Sequence, residues 1–222
     1  MNLTLFDLDG TLLAGDSDHA FGEFMVTLGW AEGQRFRDTN DRFYADYVAG
    51  QLDLDAYVAF TTAAWRDRDP AEIGAASERF TNEVVLPGLR AAALDLVRRH
   101  QEAGDTIALV TATNDFVTRP IAQLFGIDQL IATDLERDAG GRVTGRVRGT
   151  PAFREGKIAR VHDWLTESGL QWSDFERTTF YSDSTNDLPL LERVSHPVAT
   201  NPGPALREIA RQRGWPSLNL FV

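Results

Sequence analysis

Short apolar runs that end abruptly at polar residues recur along the chain, and they predict buried β-strands. The predicted strands are residues 3–6, 106–110, 130–132, 178–181 and 197–199. The first ends at Asp7, the second at Thr111, and the fourth just before Ser182 and Asp183. Polar side chains are therefore expected where three of the strands end.

Helical spacing of apolar residues fills the intervals between these strands. Helices are predicted around residues 89–97, 117–125 and 158–165, each followed by a glycine that would end it. Strands that alternate with helices favour an α/β fold, a three-layer Rossmann-like core with a parallel sheet covered on both faces. Ligands bind such folds outside the carboxyl ends of the strands, which is where the polar residues are expected.

The segment from residue 15 to residue 86 has a different pattern. It contains four stretches of helical apolar spacing and no convincing strand. We therefore predict a small helical-bundle cap of residues 15–86, inserted after the first strand, and a core domain of residues 1–14 and 87–222. Its aromatic residues are more often bundle core than substrate contacts. A cap over the strand ends would exclude water and select substrates. A further departure, residues 135–144, predicts a β-hairpin with a glycine turn.

Composition and charge limit the classes of partner. The 222 residues are 43% hydrophobic and 25% charged, as in folded globular proteins, and there is no cysteine for disulfides or thiolate metal sites. The net charge of −11 and the scattered arginines argue against a nucleic-acid partner. No apolar run approaches the ~20 residues of a membrane span, and the first residues do not resemble a signal peptide. We expect no membrane partner and a cytoplasmic location.

The strongest chemical signal is Asp7-Leu8-Asp9-Gly10-Thr11, directly after a predicted strand. Two carboxylates one residue apart repel each other unless a cation lies between them or one holds a proton. Mg²⁺ prefers oxygen ligands and keeps waters that substrate phosphate can replace. The alternative is an ordinary turn rich in aspartate and glycine.

Three further features are weaker when each is taken alone. Asp183 and Asp187 lie in Ser182-Asp183-Ser184-Thr185-Asn186-Asp187 and could complete an oxygen-ligand set, or they could cap the helix that follows. Thr111 could donate to a phosphate oxygen. Lys157 stands at the start of a predicted helix, where a lone lysine usually faces solvent.

Together, in this order and spacing, these four pieces resemble the four motifs of the haloacid dehalogenase superfamily. The position of the cap, the Pro87-Gly88-Leu89 entry and the hairpin before Lys157 resemble the subgroup that contains phosphoserine phosphatase. The resemblance implies a Mg²⁺-dependent phosphatase in which Asp7 attacks phosphorus. It also implies that Asp9 protonates the leaving alcohol and then deprotonates the attacking water.

The resemblance also implies a role for each motif residue. Mg²⁺ would be held by the Asp7 side chain, the Asp9 backbone carbonyl and Asp183, and Thr111 and Lys157 would bind the transferring phosphoryl group. The residues expected to support the metal or phosphate site are Asp187, Asn186, Gly10 and Thr11. A carboxylate at Asp9 separates the chain from true dehalogenases and phosphorylated ion pumps, which lack one there.

The substrate is expected to be a small phosphorylated metabolite. Asp16 falls where phosphoserine phosphatases place a glutamate that reads the substrate amine, with Asp18 close by; the same residues could simply cap a helix. Thr113 and Asn114, the other expected substrate contacts, replace glycines of those enzymes. Phosphoserine and histidinol phosphate both stay open. Arg42 and Arg66 are candidates to bind a substrate carboxylate.

Two other functions stay open at this stage. A mutase of the same superfamily could pass the phosphoryl group from Asp7 to a second hydroxyl. A regulatory protein could keep the fold and bind phosphate or metal without turnover. Such a protein would usually have lost one of the catalytic groups, and all of them are present here.

Overall fold

A computed structural model describes residues 1–221 of the chain. Its strands are β1 (Asn2–Phe6), β2 (Thr106–Asn114), β3 (Leu130–Thr133), β4 (Leu135–Arg137), β5 (Val143–Val147), β6 (Arg177–Ser182), β7 (His196–Thr200) and β8 (Ser217–Leu218). Its α-helices are α1 (Ser17–Thr27), α2 (Gly33–Val48), α3 (Leu54–Ala63), α4 (Pro70–Phe80), α5 (Ala91–Glu102), α6 (Asp115–Leu124), α7 (Glu155–Glu167), α8 (Leu188–Arg193) and α9 (Pro204–Arg213).

Six of the strands form one sheet in the order β3-β2-β1-β6-β7-β8, and all neighbours in it run parallel. The central strand is β1, in which Leu5 lies opposite Ala108 of β2 and Phe180 of β6. Parallel strands end at a common edge, so the residues that follow β1, β2 and β6 meet there. The predicted α/β class with a parallel, Rossmann-like sheet is confirmed.

Apolar side chains on both faces of the sheet produce the three layers. On one face Leu3 and Leu5 pack in a fully buried cluster with apolar residues of α7, α8 and α9. On the other face Phe6 packs with residues of α5 and α6. Successive side chains of a strand point to opposite faces, so the nearly continuous apolar run of β1 serves both layers.

The four helices α1–α4 lie between β1 and α5, within the range predicted for the cap. Aspartates 16, 53 and 69 cap α1, α3 and α4 by accepting hydrogen bonds from backbone N–H groups. Several aromatic residues of the helices pack inward, as Phe21 does in edge-to-face contact with Phe80 and with Phe116 of α6. Helical content consistent with a cap is therefore present; the division at residues 14 and 87 stays a prediction.

The structure differs from the predicted elements at three places. The strand predicted to end at Thr111 continues to Asn114, because β2 pairs with β3 again at Asn114 after an irregularity. The hairpin extends to Val147, three residues beyond its predicted end. Helix α9 and strand β8 were not predicted. Strand β8 has only two residues, too few to form a recognisable pattern. None of the helices in residues 1–221 combines the length and the apolarity needed to cross a bilayer.

Candidate active site

The loop after β1 and the loop after β6 meet at one edge of the sheet. The side chain of Thr11 joins them: its Oγ1 lies 3.0 Å from Asp7 Oδ2 and 3.2 Å from Asp183 Oδ1, although Thr11 and Asp183 are 172 residues apart in the sequence. The backbone N–H of Asp183 in turn donates to Thr11 Oγ1 at 3.1 Å. The first and last of the four motifs thus share one buried polar centre.

Backbone and side-chain hydrogen bonds hold Asp7 in place. Its backbone N–H donates to the carbonyl of Tyr181 at 3.0 Å, which continues the sheet pairing one residue beyond β1. Its Oδ1 accepts from Lys157 Nζ at 2.8 Å. Burial raises the pKa of the Asp7 carboxyl to about 7, with Lys157 opposing the rise and the neighbouring Asp187 adding to it.

Lys157, at the start of α7, is the only lysine in the sequence. Its side chain is only 1% exposed, and its Nζ lies 2.8 Å from Asp7 Oδ1 and 2.7 Å from Asp187 Oδ1. Burial works to lower the pKa of the ammonium group, but the two carboxylates outweigh it and hold that pKa above its ordinary value. Lys157 is therefore a fixed positive charge, contrary to the ordinary expectation of a solvent-facing lysine.

Asp187 contacts Lys157, whereas Asn186, also expected to support the site, makes its contact elsewhere. Asp187 also accepts from Ser182 Oγ at 2.7 Å, so its carboxylate holds Lys157 from a fixed position. Asn186 donates from Nδ2 to the backbone carbonyl of Tyr47 at 3.0 Å. Asn186 thus joins the loop after β6 to helix α2 rather than pointing at Asp7 or Asp183.

Asp9 lies beside this centre and does not contact Lys157. Its Oδ1 accepts from the backbone N–H of Ser17 at 2.7 Å, and its Oδ2 accepts from Thr113 Oγ1 at 2.8 Å. Burial raises the pKa of the Asp9 carboxyl to about 7, and the charge of Asp16 raises it further, while the two hydrogen bonds oppose the rise. A carboxyl with such a pKa can both give and take a proton near neutral pH.

The donor set fits Mg²⁺ by its chemistry. Burial raises the pKa of the Asp183 carboxyl to about 8, with Asp7 and Asp187 adding to the effect. Lys157 is the one cation paired with these buried acids among residues 1–221, so negative charge is left in excess, as at sites for hard divalent cations. No three histidine, cysteine or acidic side chains of that range group as a metal site. The predicted set needs only two carboxylates, with the carbonyl of Asp9 as the third ligand.

Gly10 makes this close approach possible. Its backbone has φ = +75°, a left-handed conformation that favours glycine. A Cβ at this position would overlap the carboxylate of Asp183. The carboxylate of Asp183 therefore occupies the space that a side chain at residue 10 would fill.

A narrow cavity extends from the two loops toward the cap helices. The predicted residues Asp7, Asp9, Thr111 and Thr113 line its core side, and Asp16 and Asp18 line it from the start of α1. Thr111 Oγ1 accepts from the backbone N–H of Thr113 at 3.2 Å. The hydroxyl of Thr111 keeps its own proton for another acceptor. The cap side of the cavity is formed by Phe43, Tyr44, Tyr47, Leu52, Leu54 and Tyr57.

All four expected substrate contacts also have hydrogen-bond partners within the protein. Asp16 caps α1 by accepting from the backbone N–H of His19 at 2.8 Å, so the capping alternative holds for it while its side chain also faces the cavity. Asn114 caps α6 by accepting from the backbone N–H of Val117 and donates to Asp18 Oδ1 at 3.1 Å. Asn114 does not line the cavity itself.

Two residues that contribute to the site were not predicted from the sequence. Asn201, after β7, donates from Nδ2 to the carbonyls of Gly10 and Thr11, both at 2.9 Å, and so braces the first motif from near the end of the chain. The Asn201-Pro202-Gly203 turn after a predicted strand was the available signal. Tyr57 contributes a hydroxyl beside Asp18, for which helical apolar spacing gave no signal.

Comparison with known proteins gives one family. The family model of haloacid dehalogenase-like hydrolases matches residues 4–192. A curated protein of Neisseria meningitidis serogroup C, named histidinol-phosphatase, is 42% identical over 218 residues, which is 98% of each chain.

Solved structures agree with this assignment of the fold. A protein of unknown function from Bordetella pertussis Tohama I superposes with a TM-score of 0.93 at 48% identity, over 99% of both chains. A phosphoserine phosphatase, solved as an analogue of its phospho-aspartyl intermediate, superposes with a TM-score of 0.68 at 18% identity, over 98% of this chain and 92% of that one. At that identity the second likeness shows the fold alone.

Proposed function

The chain belongs to the haloacid dehalogenase-like hydrolase family, and from that premise we propose that it is a phosphatase that hydrolyses a small phosphomonoester through a phosphorylated Asp7. The observation that carries this proposal is the meeting of Asp7, Lys157 and Asp183 in one buried centre, with Asp9 at its edge. Phosphoryl transfer needs positioning and charge neutralisation more than covalent chemistry by the protein. These residues supply both.

In the first half-reaction a carboxylate oxygen of Asp7 attacks phosphorus. The bond from that oxygen to phosphorus forms as the bond from phosphorus to the ester oxygen breaks, and Asp9 gives its proton to the leaving oxygen. Lys157 keeps Asp7 anionic, because its ammonium group donates to Oδ1. The hydroxyl of Thr111 and the ammonium of Lys157 would bind the phosphoryl oxygens.

In the second half-reaction Asp9, now a carboxylate, takes a proton from water. The resulting hydroxide attacks phosphorus, and the bond between Asp7 and phosphorus breaks to release inorganic phosphate. Asp9 returns to its protonated form. Ser17 and Thr113 hold its two oxygens in position through both steps, and the raised pKa of Asp9 suits a group that must alternate between the two forms near neutral pH.

We propose that Asp7, Asp183 and the carbonyl of Asp9 hold a Mg²⁺ ion. When bound, the ion supplies positive charge at the phosphoryl oxygens and lowers the repulsion between carboxylate and substrate. The excess of buried acids over Lys157 and the place of Asp183 against Gly10 support this assignment.

The test of the reaction class is phosphate release from p-nitrophenyl phosphate, with Mg²⁺ and with EDTA. We expect release only with the metal, and a loss of at least about a thousand-fold in Asp7→Asn, because the amide cannot act as the nucleophile. A suitable control is Asp55→Asn, which makes the same change at an exposed cap residue. Turnover by Asp7→Asn equal to that of the wild type would refute the covalent mechanism.

For the substrate we propose a phosphate ester that bears an amine. The relative named histidinol-phosphatase supports this class, and so do the acids Asp16 and Asp18 on the cavity wall. A panel of phosphorylated metabolites, compared by kcat/KM, tests it. Histidinol phosphate should exceed neutral sugar phosphates of similar size. A neutral sugar phosphate as the best substrate would remove the amine hypothesis while leaving the phosphatase intact.

A further inference from the structure

We propose that Asp18 is the residue that selects the substrate: it binds a cationic group of the substrate inside an aromatic pocket, and the pocket excludes substrates that carry a carboxylate. This inference rests on the proposed function and deepens it. It separates the two amine-bearing substrates that the sequence leaves open, since phosphoserine has a carboxylate and histidinol phosphate has none.

The lining of the cavity carries charge of one sign only. Four carboxylates face it, from Asp7, Asp9, Asp16 and Asp18, and no lysine, arginine or histidine is among the described residues that line it. Near the reacting centre Lys157 and the proposed metal ion offset Asp7. On the cap side Asp18 has no such counter-charge, and the charge of His19, which acts on Asp16, is shared with Asp41. A ligand that fills this part of the cavity gains most if it brings a positive charge.

Asp18 is held in place by neutral groups. It is only 6% exposed, and its Oδ1 accepts from Asn114 Nδ2 at 3.1 Å. The hydroxyl of Tyr57 lies near it and partly offsets the rise that burial causes in the pKa of Asp18. Among residues 1–221 it has no ion pair with a basic side chain. A carboxylate so buried is costly without a cation, and the amide of Asn114 orients it without neutralising its charge.

The needs of helix α1 do not account for Asp18. The N-cap of this helix is Asp16, which accepts from the backbone N–H of His19. An acid in the first turn does favour a helix through its dipole, but an exposed aspartate would serve equally, as Asp55 does in α3. The burial of Asp18 against Asn114, 96 residues away in the sequence, therefore calls for a different explanation.

Aromatic rings form the rest of this pocket. Phe43 and Tyr57 lie with their ring centroids 5.3 Å apart, and Tyr44 stands at the rim, partly exposed. Ring faces attract cations and pack against flat apolar groups. A ligand with a protonated amine or imidazole next to a small apolar body matches both the carboxylate and the rings.

No basic side chain among the described residues that line the cavity is available to bind a substrate carboxylate. Of the two arginines considered from the sequence, Arg42 donates to Thr39 Oγ1 and Arg66 donates to the carbonyl of Thr144, and neither lines the cavity. A carboxylate that entered would face Asp16 and Asp18 without a partner. Such an unpaired, like-charged contact is an effective means of rejecting the wrong ligand.

The direct test uses two ligands that differ at one group. L-Histidinol and L-histidine share the imidazole and the amine, and only histidine has a carboxylate. We expect L-histidinol to compete with p-nitrophenyl phosphate and to bind in calorimetry, and L-histidine to bind at least about tenfold more weakly, because of repulsion and lost pairing. Equal binding of the two compounds would overturn the exclusion.

The role of Asp18 itself is tested by substitution. In Asp18→Asn the kcat/KM for histidinol phosphate, divided by that for phenyl phosphate, should fall about 10- to 100-fold, which is the range for loss of a charge-assisted hydrogen bond. The fall in this ratio should come from a higher KM for the cationic substrate. Asp55→Asn, the same change in the first turn of α3, should leave the ratio within about twofold. An unchanged ratio in Asp18→Asn would overturn the assignment.

A second variant guards against a folding defect. Tyr57→Phe removes only the hydroxyl near Asp18, which favours the ionised carboxylate, and should lower the same ratio several-fold, with an unfolding midpoint close to that of the wild type. If neither variant changes the ratio while the wild type turns over phosphate esters, this inference fails and the phosphatase stands. If the wild type hydrolyses no ester yet binds L-histidinol over L-histidine, the proposed function fails and the pocket stands.

Discussion

Lys157→Met is the substitution whose effect the structure specifies most fully. Methionine has about the length of lysine, so packing is largely kept, while the charge that joins Asp7 to Asp187 is lost. Removing one partner of a buried ion pair costs about 3–5 kcal/mol, because the other charge stays buried without compensation. For a chain of this size that corresponds to a fall in Tm of about 6–20 °C.

The effect of Lys157→Met on catalysis should also be large. The ammonium group holds Asp7 in its anionic form and would face the transferring phosphoryl group. Loss of one such preorganised charge typically lowers kcat about a hundred- to thousand-fold. Addition of Mg²⁺ should restore part of the lost stability, since the ion would offset the same carboxylates, but it should not restore kcat.

The destabilisation should depend on pH, and the sign follows from the carboxylates. Without the ammonium group the pKa of Asp7 rises further above its unfolded value, so this carboxyl stays protonated in the fold at low pH and the fold loses stability as the pH increases. The difference between Lys157→Met and the wild type should therefore grow from pH 4 to pH 8. Urea unfolding of metal-free protein at several pH values measures it.

Arg160→Met provides the control for this experiment. Arg160 lies one turn further along α7 and pairs with Asp134 at 3.0 Å in a partly exposed position, so its loss should cost less than the loss of the fully buried Lys157. If Lys157→Met were as stable as Arg160→Met at pH 8, or if its defect did not shrink toward pH 4, the account of a buried, charge-balancing lysine would be wrong.

Three further predictions follow from the site and its surroundings. Burial raises the pKa of the carboxyls of Asp7, Asp9 and Asp183 from 3.8 to between about 7 and about 8, so the folded protein binds more protons than the unfolded chain between these pH values. Metal-free protein should therefore lose stability in urea titrations as the pH rises from about 4 to 8, and Mg²⁺ should suppress this loss. A stability that does not change with pH would contradict the prediction. Gly10→Ala should destabilise the protein by about 1–3 kcal/mol more than Gly214→Ala and should lower activity. Both substitutions force an alanine into a left-handed conformation, but only the one at residue 10 meets the carboxylate of Asp183. Equal destabilisation by the two variants would contradict the close approach of Asp183 to Gly10. Arg154 donates a hydrogen bond from the core to the carbonyl of Gly50, just after α2. Arg154→Ala should therefore speed hydrogen–deuterium exchange of the backbone amides near the end of α2, measured by mass spectrometry. An unchanged exchange rate would show that this contact does not stabilise that segment.

The sequence specified the sheet and its polar edge because both depend on local patterns. Residues 3–6 must be buried as a strand, and the acids of the first motif follow at once, so their place at the sheet edge needs no knowledge of distant contacts. The four cap helices were predictable for the same reason, since Phe21, Phe24 and Met25 repeat at helical spacing. The joint order of the four motifs then pointed to the family.

The remaining features depend on contacts between distant parts of the chain. Nothing near Lys157 in the sequence indicates that its ammonium group meets Asp7 and Asp187, although its being the only lysine was a usable sign. The pairing of Asn114 with Asp18 and the bracing of Gly10 by Asn201 join segments 96 and 191 residues apart. The extension of β2 to Asn114 likewise depends on a pairing with β3 that the polar composition of Thr111-Ala112-Thr113-Asn114 does not suggest.

The most direct test of the central claim is to trap the phosphorylated enzyme. In Asp9→Asn, p-nitrophenyl phosphate can still phosphorylate the enzyme, because its leaving group needs no proton, whereas water can no longer be activated. We predict a burst of about one p-nitrophenolate per enzyme molecule, followed by slow turnover, and a phosphoryl group on Asp7 in peptides from acid-quenched samples. A burst absent from Asp9→Asn while the variant still releases phosphate, or a phosphoryl group on any residue other than Asp7, would contradict the mechanism.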